Sequence, residues 1–157
     1  MPVPVSPPRI TSDLDDRRSG RGVLCQHDRG ITAFGSAVLQ FGTYDLSAQT
    51  PAGRLIADES FLEAYTGTAL DRTDPDLSPI YAELADLPPV LIVVGDDDIL
   101  LQDNLAMGAR LSAARVDVDL RVYPGSPHGF TAHPTLMARA ALEDMETWIN
   151  GHLGAPL

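Results

Sequence analysis

Several features are scarce in this sequence, and each scarcity excludes a class of protein. Cys25 is the only cysteine among the 157 residues, so an intrachain disulfide is impossible and a reducing or thiol-indifferent compartment is favoured. Eleven basic residues stand against 22 acidic ones, which gives a net charge of -11. Because binding to a phosphate backbone needs clustered Lys and Arg, this balance argues against a nucleic-acid partner.

Long apolar runs are also missing. No stretch of the chain approaches the roughly 18 consecutive apolar residues that a membrane-spanning helix needs. The first ten residues lack the charged start and the apolar stretch of a signal peptide. We therefore expect no membrane partner and a cytoplasmic location.

The composition changes near residue 23. Residues 1–22 contain four of the 13 prolines and a stretch of mixed charge with few apolar side chains. This composition predicts a disordered or non-native N-terminal segment. The 44% of hydrophobic residues in the whole chain can bury one core but hardly a second. We therefore expect one domain over residues 23–157.

Three apolar segments have the patterns of strands. Residues 37–41 (AVLQF) precede a glycine and predict a short buried strand. Residues 90–94 (VLIVV) are apolar without alternation, which predicts a strand covered on both faces. Residues 116–122 alternate apolar and charged side chains, which predicts a half-covered strand near a sheet edge.

Helices are predicted between and after these strands. The candidates are residues 57–65, residues 103–114 with Asp103 as the N-cap, and residues 135–152. Strands that alternate with helices predict an α/β domain with about three parallel strands and right-handed crossovers. The expected arrangement is three layers, with helices on both faces of the sheet.

Acidic side chains and a histidine follow the second and third predicted strands. Asp96, Asp97 and Asp98 come directly after one strand, and His128 lies in a tight loop after the next. The carboxyl ends of parallel strands carry ligands and catalytic groups, and these loops become neighbours if the two strands pair. An aspartate that fixes the tautomer of a histidine is what a Ser-His-Asp triad requires.

Four motifs resemble, in order, those of the hormone-sensitive-lipase-like carboxylesterases, a family of α/β-hydrolases. They are residues 41–46 (FGTYDL), 74–79 (DPDLSP), 87–103 and 123–130 (YPGSPHGF). Each motif alone is weak, but the ordered set is specific and covers most of the chain. The resemblance implies the C-terminal portion of an α/β-hydrolase fold, hydrolysis of small-molecule esters with short acyl chains, and no cofactor.

Position within the motifs implies the roles of two residues. Asp98 corresponds to the acid of the triad and His128 to its general base, whereas Asp96 and Asp97 are loop neighbours. In complete relatives a serine attacks the ester carbonyl, the histidine shuttles the proton, and the aspartate orients the histidine.

The sequence departs from the family in one respect. The family places an HGGG oxyanion motif and a GxSxG nucleophile elbow before the strand that contains Val38. Neither motif occurs in the 157 residues. Without a nucleophile and oxyanion donors, a histidine and an aspartate cannot perform acyl transfer, so we expect a truncated, catalytically impaired form.

The sequence leaves alternatives open. One is a non-catalytic binding or assembly module, including a homodimer formed through the exposed edge of the Val38 strand. A less favoured one is a divalent-metal site at Asp96, Asp97 and Asp98, because no phosphate-handling loop accompanies these carboxylates. Asp45 follows a strand end and either lines a pocket or serves turn chemistry.

Overall fold

Three parallel strands form the centre of the fold. The computed structural model describes residues 35–56, 60–67 and 69–152, so the prediction for residues 1–22 lies outside the described part. The strands are β1 (Ala37–Gln40), β2 (Val90–Gly95) and β3 (Val118–Tyr123), in the order β1-β2-β3. Both neighbouring pairs are parallel, which confirms the predicted α/β sheet.

The structure has a helix in each of the three regions where one was predicted, and it also has one short helix that was not predicted. They are α1 (Pro51–Leu55), α2 (Ser60–Thr66), α3 (Leu101–Ala113) and α4 (Leu136–His152), with short 3₁₀ segments at Pro79–Tyr81 and Phe130–Ala132. Helix α1 has only one turn, too little for a hydrophobic period. Its start is nevertheless encoded, because the Thr50 hydroxyl accepts the Gly53 N–H and proline occupies the first helical position.

Every residue of β2 is buried, as its unbroken apolar sequence predicts. Val90 and Ile92 pack in one apolar cluster with residues of α3, whereas Leu91 and Val93 pack in a second cluster with residues of α4. Because successive side chains of a strand point to opposite faces, the two clusters lie on opposite sides of the sheet. This confirms the three-layer arrangement.

Strand β3 lies at one end of the described sheet. Its residues from Val118 to Tyr123 pair in order with those of β2 from Val90 to Gly95, and most of its side chains are only half-buried. The prediction of a half-covered strand near an edge is therefore confirmed. The register also brings the carboxyl ends of β2 and β3 to the same level, so the loops that follow them begin side by side.

The start of α3 differs from its prediction. Asp103 is not the N-cap, because the helix begins at Leu101, whose N–H donates to the Asp98 carbonyl. Asp103 instead lies buried in the first turn, where one of its carboxylate oxygens accepts the backbone N–H groups of Tyr44 and Asp45. The prediction was wrong because a tertiary contact, made 58 and 59 residues away in sequence, uses the carboxylate.

Asp45 serves turn chemistry. It is buried, and its carboxylate accepts the backbone N–H and the hydroxyl of both Ser47 and Thr50. Burial acts to raise the pKa of Asp45, but these four hydrogen bonds outweigh burial and hold the pKa below its ordinary value. The charged form of Asp45 therefore stabilises the turn before α1.

In the ranges that the structure describes, no helix has both the length and the apolar character needed to cross a membrane.

Acid should destabilise the fold in part through Asp45. A carboxyl whose pKa is lower in the folded state than in the unfolded state contributes stability at neutral pH, and this stability is lost as the pH falls through the folded-state pKa. We expect the free energy of unfolding to decline below about pH 4, and the substitution Asp45→Asn to remove part of that decline. Urea denaturation at a series of pH values checks this. An unchanged decline in the variant would contradict it.

Two of the three leucines of α3, Leu105 and Leu111, provide a matched test of the core. Leu111 is fully buried, whereas Leu105 on the same helix is 41% exposed. We expect Leu111→Ala to lower the free energy of unfolding by about 2–5 kcal/mol, because it leaves a cavity, and Leu105→Ala to lower it by under about 1 kcal/mol. Urea denaturation followed by circular dichroism measures both. Equal losses would show that the α3 layer is packed differently.

Candidate active site

Two loops at the carboxyl edge of the sheet contact each other. The acid loop, residues 96–100, follows β2, and the histidine loop, residues 124–129, follows β3. The Asp96 N–H donates to the Tyr123 carbonyl at 3.0 Å, and the Asp97 N–H donates to the Ser126 carbonyl at 3.3 Å. The Asp96 carboxylate in turn accepts the Ser126 N–H at 3.4 Å. Hydrogen bonds therefore fix the acid loop both to the end of β3 and to the histidine loop.

Gly95 makes this close approach possible. A Cβ atom at Gly95 would lie 1.8 Å from the Ser126 carbonyl oxygen, which is far inside any permitted contact. The neighbouring atoms belong mainly to the backbone, so they cannot move aside as a flexible side chain would. Glycine at this position is required by the contact between the two loops.

The histidine and aspartate singled out in the sequence lie in direct contact. The His128 Nδ1 atom is 3.2 Å from Asp98 Oδ1 and 3.1 Å from Asp98 Oδ2. The Asp98 side chain is fully buried, and its Oδ1 also accepts the Leu100 N–H at 2.8 Å. Because an ionised carboxylate only accepts hydrogen bonds, a neutral imidazole in this arrangement carries its proton on Nδ1 and its lone pair on Nε2.

The other side of the imidazole is accessible. The His128 side chain is 53% exposed, and no other described residue forms a hydrogen bond with Nε2. A buried carboxylate behind the ring and an unprotonated nitrogen in front of it form an arrangement that can take a proton from an approaching hydroxyl. The carboxylate would then stabilise the imidazolium that results.

The other acids of the acid loop, and the histidine that follows the histidine loop, take no part in the hydrogen bond between Asp98 and His128. Asp96 and Asp97 are exposed, and so is His133, which follows the histidine loop. Among the residues that the structure describes, no group of three or more His, Cys, Asp or Glu side chains could hold a metal ion. The geometry therefore gives the metal alternative no support.

Sequence reasoning overlooked one residue at this site. Phe41, which follows β1, has its ring centroid 5.2 Å from that of His128, with the two planes at 70°. Phe41 also packs edge-on against Phe130 at 6.2 Å. In the sequence Phe41 ends an apolar strand and begins the FGTYDL motif, but neither signal indicates a contact with His128, because that contact depends on the strand order.

Comparisons with known proteins agree with this geometry. A family model described as the alpha/beta hydrolase fold matches residues 39–132, a range that includes both loops. The putative acetyl-hydrolase LipR of Mycobacterium tuberculosis is 28% identical over 141 residues, which cover 83% of this chain and 46% of that protein. The ethyl acetate hydrolase of Pseudomonas putida is 31% identical over 106 residues, which cover 66% of this chain and 31% of that protein.

Solved structures give the same picture. A hormone-sensitive lipase from a metagenome library is 29% identical, with a TM-score of 0.67, over 75% of this chain and 43% of that one. An esterase from the bacterial hormone-sensitive lipase family is 26% identical, with a TM-score of 0.67, over 76% of this chain and 44% of that one. The chain thus spans less than half the length of these relatives.

Two glycine substitutions test the contact between the loops. Gly95→Ala would push a methyl group into the Ser126 backbone, and we expect it to lower the free energy of unfolding by about 1–3 kcal/mol or more. Gly108→Ala is the control, because a Cβ there meets side-chain atoms of Ile92 and Leu120 no closer than 3.6 Å. Alanine should stabilise α3 at that position by up to about 1 kcal/mol. Chemical denaturation of both variants should therefore give shifts of opposite sign, and a neutral Gly95→Ala would refute the contact.

Proposed function

Because this chain belongs to the hormone-sensitive-lipase-like carboxylesterase family of α/β-hydrolases, we propose that Asp98 and His128 are the acid and the general base of a Ser-His-Asp triad that hydrolyses carboxylic esters. The observation that carries the proposal is the contact of His128 Nδ1 with a buried carboxylate at 3.1 Å while the ring is half-exposed. This is the orientation in which Nε2 acts as a base.

The chemistry follows from the protonation state of the imidazole. A serine hydroxyl that reaches Nε2 transfers its proton there as its oxygen attacks the ester carbonyl. The Asp98 carboxylate stabilises the imidazolium, which then protonates the departing alcohol. Water repeats the sequence on the acyl-enzyme, with His128 again taking and returning the proton, so that the acid is released and the serine restored.

These 157 residues do not contain the family's nucleophile motif. No serine of the 157 residues lies in a GxSxG pattern, and no HGGG motif supplies oxyanion donors. The proposal therefore assigns the nucleophile and the oxyanion donors to a segment other than these residues. We expect these residues alone to be catalytically impaired, since oxyanion donors contribute several kcal/mol and the nucleophile is indispensable.

The substrate class is proposed from the relatives. These relatives include an acetyl-hydrolase and an ethyl acetate hydrolase, which supports esters with short acyl chains. The proposal goes no further than this class.

Two assays on the isolated 157-residue chain test the absence of a nucleophile. We expect no turnover of p-nitrophenyl acetate above the uncatalysed rate and no covalent labelling by a fluorophosphonate probe, because both require an activated serine. The same assays on a complete relative serve as the positive control. Labelling of the isolated chain would reveal a nucleophile that the proposal does not contain.

A chimera tests the two assigned residues. Residues 37–152 would replace the matching part of the hormone-sensitive lipase from the metagenome library, which retains its own nucleophile. We expect turnover of p-nitrophenyl acetate, and a loss of about 1,000-fold or more in kcat for His128→Ala and for Asp98→Asn. His133→Ala is the matched control and should be neutral, because His133 is an exposed histidine outside the Asp98–His128 hydrogen bond. Equal activity of all three variants would refute the assignment.

The chimera also separates catalysis from the assembly alternative. Within the described residues β1 pairs with β2 on one side and has no second partner, an edge through which copies could associate. A folded but inactive chimera, together with a dimer of the 157-residue chain in analytical ultracentrifugation, would favour a non-catalytic assembly module.

A further inference from the structure

The backbone of Phe41 has a conformation that its side chain does not favour. Its φ angle is +36°, in the left-handed region, although the next residue, Gly42, could adopt that region without steric cost. A bulky residue with positive φ is a genuine outlier and persists only where the surrounding structure imposes it. Residues of this kind cluster at functional sites, so the position invites an explanation.

Hydrogen bonds fix the chain on both sides of Phe41. The Phe41 N–H donates to the Val93 carbonyl of β2 at 2.7 Å, which continues the ladder of the sheet past the end of β1. After it, the Asn104 side-chain amide donates to the Gly42 carbonyl at 2.9 Å. One residue earlier on α3, the Asp103 carboxylate accepts the N–H of Tyr44. The outlier is therefore held between the sheet and the first turn of α3.

The Asp103 carboxylate is only half satisfied by hydrogen bonds. Asp103 is 2% exposed, and its Oδ1 atom has no hydrogen-bond partner among the described residues. Burial raises the pKa of this carboxyl, and the N–H groups of Tyr44 and Asp45 only partly oppose that effect. A buried, half-satisfied carboxylate is costly, so a role in fixing the chain gives a reason for its presence.

The segment after β1, residues 41–45, places the Phe41 ring against the His128 imidazole. The edge contact between Phe41 and His128 is one end of a series of rings that continues through Phe130 to Tyr123, whose centroids are 5.4 Å apart. Phe130 and Tyr123 are buried in the cluster beneath α4, so the series is anchored in the core. Asp98 holds Nδ1 from one direction, and the Phe41 ring limits rotation of the imidazole from another.

We propose that Phe41 is a positioning residue, which keeps the His128 ring turned so that Nδ1 faces Asp98 and Nε2 stays free. The inference rests on the proposed function of His128 as a general base. The strained backbone of Phe41 holds its ring against His128, and this contact orients the imidazole independently of the Asp98 carboxylate.

The tautomer of His128 measures this support directly. In the isotope-labelled 157-residue chain, nuclear magnetic resonance correlations between ring nitrogens and ring protons give the ratio of the Nδ1-protonated to the Nε2-protonated form. We expect the Nδ1-protonated form to predominate, and Phe41→Leu to lower the ratio by roughly two- to tenfold, the effect of losing one aromatic edge contact. Phe41→Gly should lower the ratio in the same way. Because glycine accepts the positive φ, this variant provides the test if Phe41→Leu fails to fold.

Two controls make the outcome decisive. Arg115→Gly changes another non-glycine residue of positive φ, +64°, which lies before β3 whereas His128 lies after it, and it should leave the ratio unchanged. Asp98→Asn should shift His128 towards the Nε2-protonated form, because an amide can donate to Nδ1. If both Phe41 variants kept the wild-type ratio, or if Arg115→Gly shifted the ratio as much as they do, the positioning role of Phe41 would be overturned and the proposed function would stand. A wild-type ratio in Asp98→Asn would remove the proposed function as well.

Discussion

Parallel pairing of β2 with β3 is the constraint on which the candidate site depends. The register ends with Gly95 beside Tyr123, so the acid loop and the histidine loop leave the sheet at the same level. Gly95 then lets the two backbones touch, since any side chain there would collide with Ser126. The contact of Asp98 with His128 is a consequence of these two facts. A shift of one register step would separate the groups, because alternate residues point to opposite faces.

Asp98 joins the site to the rest of the fold. Its carboxylate accepts from the imidazole and from the Leu100 N–H, while its carbonyl accepts the N–H of Leu101 at the start of α3. The first turn of α3 in turn holds the segment after β1 through Asp103 and Asn104. All three strand ends are thereby connected around one buried carboxylate. The hydrogen bonds that this carboxylate accepts offset part of the cost of its burial.

The sequence predicted the strands and the proximity of Asp98 to His128, but not the contacts around this pair. Strands and loops are signalled locally, by an apolar run at residues 90–94 and by acidic and histidine-containing turns. The residues around the Asp98–His128 pair are not signalled in this local way. Asp103 carries the local signal of a helix cap, and Phe41 that of a buried strand residue, yet each functions through a partner more than fifty positions away. Patterns of period and capping contain no information on such partners.

The sequence by itself determined the α/β class, the family and the chemical types of the two loops, because hydrophobic period and motif order are properties of neighbouring residues. Only the tertiary structure decided that the Asp103 carboxylate serves the segment after β1 rather than its own helix, that Gly95 is required by Ser126, and that the Phe41 ring meets His128. These are contacts across the sheet. They exist because the strands lie in the order β1-β2-β3, and that order is a property of the folded chain.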